Sequence, residues 1–319
     1  MAFFTGTGSR LQIGKESSFG QAAAPTDLVD LTSEGIKVSV EKGDEGSLLG
    51  SKTASSRDLM AVTVEGSVSF ILRPESAGLI LHAALGGQDS CARVGTSELY
   101  THTMALCGVD EALPSITITI DRKAAVKRYA GCTVASLSLE CAAGDYVKGS
   151  IDIKGTKEES GTIEAALAAF AIPSYRCTNA TFTVDGSSYD ITSATLKIDN
   201  ALESAPKTYA SGLYAGRPQH GRRTVSISFE IPYSAEVESL KGSYLTSEAN
   251  ASAHLTFSSP LAGHTIAVTL ANVAIGEVDA NVGGTGILNS TVAGEALSVE
   301  AHEPVTIVVT DKISTPYGG

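Results

Sequence analysis

Tryptophan is absent from these 319 residues, and aromatic side chains make up only 6% of them. Sugar-binding surfaces usually present aromatic platforms, so this scarcity argues against a carbohydrate-binding module. The start, Met1-Ala2-Phe3-Phe4-Thr5-Gly6, has neither a basic segment nor a long apolar run. Nowhere is there a stretch of about 18 apolar residues, so a soluble protein without an export signal is expected. Cysteine is sparse too: Cys91, Cys107, Cys132, Cys141 and Cys177 form no Cys-x-x-Cys pair, and an odd number leaves one over. Reduced thiols are the expected state.

Motifs that carry chemistry are missing as well. Histidines stand singly at 82, 102, 220, 254, 264 and 302, without the spacing that metal sites need. The glycine-rich pieces Gly6-Thr7-Gly8-Ser9 and Gly283-Gly284-Thr285-Gly286 lack the Lys-Ser/Thr end of a phosphate loop and read as turns. With no nucleophile motif either, a hydrolase is the least favoured reading, and no enzyme activity, cofactor or metal is expected. Positive charge is short: 23 Lys and Arg face 35 Asp and Glu, a net charge of −12. That balance excludes gripping nucleic acid or an anionic membrane by bulk attraction.

What is present is β pattern, and it recurs. Val38 within Ile36-Lys37-Val38-Ser39-Val40-Glu41 aligns with Leu196 within Ala194-Thr195-Leu196-Lys197-Ile198-Asp199, a spacing of roughly 158. Val68-Ser69-Phe70 aligns with Ile227-Ser228-Phe229 at roughly 159. The chain therefore reads as two tandem copies of one unit, residues 1–160 and 175–319, joined by a helical linker over 161–174.

Within the first copy, alternation at Leu11–Gly14, Ile36–Val40 and Val62–Leu72 marks half-buried strands. Pro74 to Gly86 has the Pro start, Glu75 and Gly end of a short helix. Strands return at Ser115–Asp121, Thr133–Glu140 and Val147–Ile153. The second copy keeps the order, with strands at Ser193–Asp199 and Arg223–Ile231, helical spacing from Tyr233 to Tyr244, then strands at His254–Phe257, Thr265–Leu270 and Val305–Val309. Each unit is expected to be a β-sandwich or barrel with one flanking helix and one long hairpin loop.

The loops from Gly43 to Ala61 and from Asn200 to Arg222 exceed ordinary hairpin lengths at the same place in both copies. They differ in sign. From 43 to 62, Lys52 and Arg57 oppose Asp44, Glu45 and Asp58; from 200 to 223, Lys207, Arg217, Arg222 and Arg223 oppose only Glu203. The densest basic cluster, Arg217-Pro218-Gln219-His220-Gly221-Arg222-Arg223, reads either as a solvated loop end or as a contact for an acidic partner surface.

The opening Gly8-Ser9-Arg10-Leu11-Gln12-Ile13-Gly14-Lys15-Glu16-Ser17-Ser18-Phe19-Gly20, followed by Pro25, resembles the start of a family of tail tube proteins of long-tailed bacteriophages. The resemblance continues through Gly66 to Gly86, Tyr129-Ala130-Gly131-Cys132-Thr133-Val134 and Ala180-Thr181-Phe182-Thr183-Val184-Asp185-Gly186. It implies a mainly β virion protein whose inner strands join around a ring and line a lumen for DNA. Doubled units imply homotrimeric, pseudo-hexameric rings, with homohexameric rings as the alternative. The resemblance assigns the long loops to ring stacking, with Asp44, Glu45, Lys52, Arg57, Asp58, Glu203, Lys207, Arg217, His220, Arg222 and Arg223 as inter-ring contacts. It also implies tape-measure, tail terminator and distal tail proteins as partners, DNA passing without specific binding, no membrane, and synthesis in the bacterial host cytoplasm. An adhesive or carbohydrate-binding β-sandwich protein is the alternative function.

Overall fold

The computed structural model describes residues 5–44, 57–205, 208–209, 212–245, 249–280, 287–299 and 303–318. Among them the first half contains β1 (Arg10–Lys15), β2 (Asp27–Glu34), β3 (Lys37–Gly43), β4 (Asp58–Ile71), α1 (Pro74–Leu85), β5 (Gly86–Arg93), β6 (Tyr100–Leu106), β7 (Ile116–Asp121), β8 (Val126–Ala142), β9 (Lys148–Gly155) and β10 (Lys157–Ser160). The second half contains β11 (Arg176–Val184), β12 (Ser187–Ser188), β13 (Ser193–Asp199), β14 (Thr224–Pro232), α2 (Ala235–Leu240) with a π-helical turn at Lys241–Leu245, β15 (Ala251–Ser258), β16 (Thr265–Ala280), β17 (Asn289–Ala296) and β18 (Thr306–Asp311). The protein is mainly β, as the alternating sequence requires.

Pairing follows the same order in both halves. The first runs β1–β7–β8–β9–β4–β3, with β10 on β8. The second runs β11–β15–β16–β17–β14–β13, with β18 on β16. Even the irregularities correspond, since β8 shifts register between Val134 and Ser136 and β16 between Ile275 and Glu277. Such bulges bend a strand and sharpen its twist.

Phe70 faces Gly149 as Phe229 faces Val292, so the spacing of Val68 and Ile227 follows the ladder. The other spacing does not. Leu196 pairs with Ile227, but Val68 pairs with Glu34, and Val38 lies further along opposite Val64. The first half crosses from β2 to β3 at Gly35, packed against Gly66, where an added Cβ would come within 2.4 Å of the Gly35 carbonyl. β13 runs straight through the corresponding stretch.

The halves share one sheet. Beyond its contact with β7, β8 continues and pairs with β13, placing Leu139 opposite Leu196 and Leu137 opposite Ile198. A second junction sets β18 beside β6, with Ile307 opposite Met104. All six of these side chains are buried, which ties the two halves through a common apolar core.

Helix α1 begins with Pro74, whose missing N–H costs nothing at a helix start, and ends at Gly86 with φ +76°, a left-handed cap that glycine adopts freely. It is buried nearly all round, so its Ala, Leu and Ile side chains serve the core on every face.

The linker 161–174 corrects the sequence expectation: it holds turns and no helix. Several of its N–H groups are taken by tertiary partners instead of a helical ladder. Gln12 Oε1 accepts from Glu164 N at 2.8 Å, while Glu75 Oε1 accepts from Ala171 N and Ile172 N at 2.8 and 2.7 Å. The Arg73 guanidinium lies 4.2 Å over Phe170 and donates to the Ile172 carbonyl. Alanine propensity, worth a few tenths of a kcal/mol per residue, yields to these contacts.

The segment after β18 folds back across the first half. Buried His102 lies 2.8 Å from Asp89 Oδ2 through Nδ1 and 2.8 Å from the Ile313 carbonyl through Nε2. Tyr317 donates its N–H to Asp89 and its hydroxyl to Asp311, and its carbonyl accepts from Lys15 Nζ, each at 2.7 Å. Gly78 leaves room for the Tyr317 ring, which a Cβ there would overlap at 2.1 Å.

Candidate assembly surfaces

Because directly paired strand residues point to the same side of a sheet, the ladders define a polar face running across both halves. Lys37, Glu65 and Lys154 lie in one row. Asp152, Ser136 and Asp199 form another, and Lys148, Glu140 and Thr195 a third. The rows continue through Lys197, Ser226 and Glu295, and through Ser193, Glu230 and Thr291. They end at β16, where Glu277 and Asp279 oppose Ala293 and Thr291. Carboxylates outnumber lysines on this face. The opposite face carries Val68, Phe70, Leu137, Leu139, Ile151, Leu196, Ile227 and Phe229, all buried.

In the second half this polar face is hollowed. A concavity of about 730 Å³ is lined by Thr195, Lys197, Ser226, Ser228, Glu277 and Glu295 among others. Small Ser, Thr and Ala side chains leave the backbone close to the surface, and the bulge in β16 supplies curvature.

The second surface lies where the long loops meet. The second loop closes at its base through reciprocal bonds between Glu203 and Gln219, 2.8 and 3.0 Å. Its descending side runs along β4, where Val62 N donates to the Leu213 carbonyl at 2.9 Å. Lys154 Nζ holds the Leu202 carbonyl at 2.7 Å. The two loops, opposite in sign, therefore lie against each other at their bases.

The basic cluster is largely spent inside the chain. Arg217 donates to the Leu113 carbonyl and lies 5.8 Å from the Phe19 ring, and burial lowers its pKa. His220 Nε2 is 2.9 Å from the Glu111 carbonyl. Arg223 donates to the carbonyl of Cys107 and reaches its sulfur at 3.1 Å. These three side chains clamp the second loop to the segment 107–113 of the first half, while Arg222 points to solvent. Asp44, Arg57 and Asp58 are exposed at the base of the first loop, Glu203 sits in the stem of the second, and Glu45, Lys52 and Lys207 lie outside the described residues.

Sequence reasoning weighed the charges here and missed the apolar groups. Val40 (46% exposed), Leu59, Met60 (48%), Leu213 and Tyr214 (43%) are all exposed at the bases of the paired loops. Tyr214 forms a bridge with Val62, which brings these side chains to one end of the molecule. Exposed clusters of this kind mark contact surfaces. The run Leu59-Met60 beside a long loop was the available signal.

Among the described residues no helix is long and apolar enough to cross a membrane, and no group of His, Cys, Asp and Glu is arranged to hold a metal. A family model described as phage tail tube protein matches residues 6–301, nearly the whole chain. No curated protein matches it.

Proposed function

The chain belongs to the phage tail tube protein family, and from that membership we propose that it is a structural virion subunit whose rings stack into the tail tube, the conduit for DNA delivery. The observation that carries this reading is the single sheet crossing both halves with one apolar and one hollowed, polar face. Turned toward the lumen, that face offers DNA a surface of hydroxyls and carboxylates. Phosphates are repelled by it and find few cations to bind, so the genome slides.

The matched pairing order in the two halves supports reading the chain as a duplicated unit, each copy one sixth of a ring. Three chains then make a ring with threefold symmetry and a sixfold appearance. Covalent joining of two units raises their effective concentration for each other. The apolar end formed by Val40, Leu59, Met60, Leu213 and Tyr214 is the surface that meets the next ring, with Asp44, Arg57, Asp58 and Arg222 at its margin. Tape-measure, terminator and distal tail proteins are the remaining partners, the protein is made in the host cytoplasm, and no catalysis is assigned.

Negative-stain microscopy of the purified protein tests the reading. Stacked rings or hollow tubes are expected; persistently monomeric particles that bind glycans overturn it. Replacing residues 208–215 with a short Gly-Ser linker should leave closed rings and impair stacking. Long tubes from that variant would remove the second loop from the stacking surface.

A further inference from the structure

Two of the five cysteines meet across the boundary between the halves. Cys141 stands near the end of β8, opposite Ala194 of β13, and Cys177 near the start of β11. The turn after β8 brings them together: Asp145 N donates to the Ala142 carbonyl, and Cys177 N donates to the Asp145 carbonyl, both at 3.0 Å. An antiparallel bridge between Tyr146 and Arg176 continues this pairing. The Cys141 thiol donates to the Cys177 sulfur, which also accepts from the Ala142 N–H. Both cysteines line a cavity of about 230 Å³, together with Phe182, Tyr189, Ile191 and Leu255.

The two thiols differ in character. Cys177 is half-buried, and the hydrogen bond from Cys141 is the main cause that lowers its pKa. Burial opposes that shift, and the Ala142 N–H assists it. Cys141 is buried, and the same bond between the sulfurs raises its pKa. A thiol that ionises readily and reaches a cavity is the one that attacks; its neighbour, holding a proton, resolves. The other cysteines are not placed this way. Cys107 and Cys132 are buried, and burial, then the Asp89 and Asp311 carboxylates, raise the pKa of Cys91.

We propose that Cys141 and Cys177 are a modification site for low-molecular-weight disulfides, which oxidise the pair to a disulfide that staples the first half to the second. The Cys177 thiolate attacks one sulfur of the small disulfide, forms a mixed disulfide and releases one thiolate. Cys141 then gives up its proton and attacks the Cys177 sulfur, so that the S–S bond to the small molecule breaks and the second thiolate leaves. Two protein thiols are oxidised, and one small disulfide is reduced to two thiols. The bond closes a loop of about 36 residues containing the linker 161–174, so the halves become covalently joined at a second place. This goes beyond the tail-tube reading and does not depend on it.

The test treats the unmodified protein with glutathione disulfide, then denatures and alkylates it, with protein kept in dithiothreitol as the control. The control should take five alkyl groups and the oxidised protein three. Tryptic peptides 129–148 and 177–197 should appear joined, with fragmentation placing the bond at Cys141 and not at Cys132. A Cys141→Ser variant should stop at one glutathione on Cys177, and a Cys177→Ser variant should take up none at Cys141. Five alkylated cysteines after oxidation, a bond between another pair, or an unmodified protein that stays at the glutathione adduct would each overturn the proposal. None of these results bears on whether the protein forms tubes, which microscopy reads separately.

Discussion

Asn200 Nδ2 donates to the Val134 carbonyl at 3.0 Å, across 66 residues of sequence, and also to the Ala84 carbonyl at 2.9 Å. The Asn200 backbone N–H reaches the Ala135 carbonyl at 2.9 Å. One fully buried side chain thus fastens the start of the second loop to the end of α1 and to the bulge of β8.

Asn200→Ala should therefore destabilise the chain by about 2–4 kcal/mol, because it strips the donors from two buried carbonyls. Urea unfolding monitored by circular dichroism measures it. A change below about 0.5 kcal/mol would mean that the junction does not depend on this residue.

The clamp on the second loop separates Arg223 from its neighbour. Arg223→Ala should raise the rate of proteolytic cleavage within 200–222 severalfold, since it releases the loop from Cys107. Arg222→Ala removes the same charge from an exposed position and should leave cleavage unchanged. Equal effects would show that charge, not the contact with Cys107, holds the loop.

His82 is buried, and burial is the main cause that pushes its pKa down to about 4. The folded state then binds this proton less readily than the unfolded chain does. Stability is present above about pH 6.5 and is lost as pH falls toward 4, by up to about 3 kcal/mol. Asp27 acts in the opposite direction, because burial raises its carboxyl to about 6 and favours the protonated folded form. Comparing His82→Leu with the unmodified protein at pH 4.5 and 7.5 isolates the histidine: the variant should lose less stability on acidification. An identical pH dependence in both proteins would contradict this assignment.

Buried Glu16 accepts from Thr117 Oγ1 and Gly131 N, both at 2.8 Å, and from Gly20 N at 2.9 Å. Glu16→Ala should cost about 3 kcal/mol or more by orphaning these donors, and Glu16→Gln clearly less, because an amide oxygen still accepts. Thermal unfolding of the two variants, ranked against each other, checks it.

Charge on the polar face predicts a transport effect. Changing Glu140 and Glu230 together to Lys should slow genome ejection from assembled particles, since phosphates then find cations along their path. Unchanged ejection kinetics would place that face away from the DNA.

Legibility in the sequence followed locality. β13 and β14 alternate cleanly and were readable, as was α1 between Pro74 and Gly86. β5, Gly-Gly-Gln-Asp-Ser-Cys-Ala-Arg, was not readable, because its pairing with β6 shapes it and its side chains give no alternation. The short motifs of the opening and of Tyr129 to Val134 acquire a common reason: Glu16, Gly20 and Gly131 converge on one carboxylate. Gly131, at φ +70° with Thr156 Oγ1 2.5 Å from a would-be Cβ, leaves no room there for a side chain. The junctions of β8 with β13 and β6 with β18 stayed hidden, since nothing local fixes the register of strands so far apart. For the surfaces, formal charge misled: Arg217 and Arg223 are bound within the chain, and exposed Met60 and Tyr214 carry the apolar end.

The return of β18 to β6 sets an order on synthesis. β6 lies in the first third of the sequence, yet its ladder to Ile307 and the seat of Tyr317 beneath α1 wait for residues 306–317 to leave the ribosome. The first half cannot complete its packing as it is made. A chain broken off before β18 loses the partner strand of β6 and leaves a gap beside Gly78 where the Tyr317 ring sits. The packing of the first half thus depends on a segment 211 residues downstream of His102.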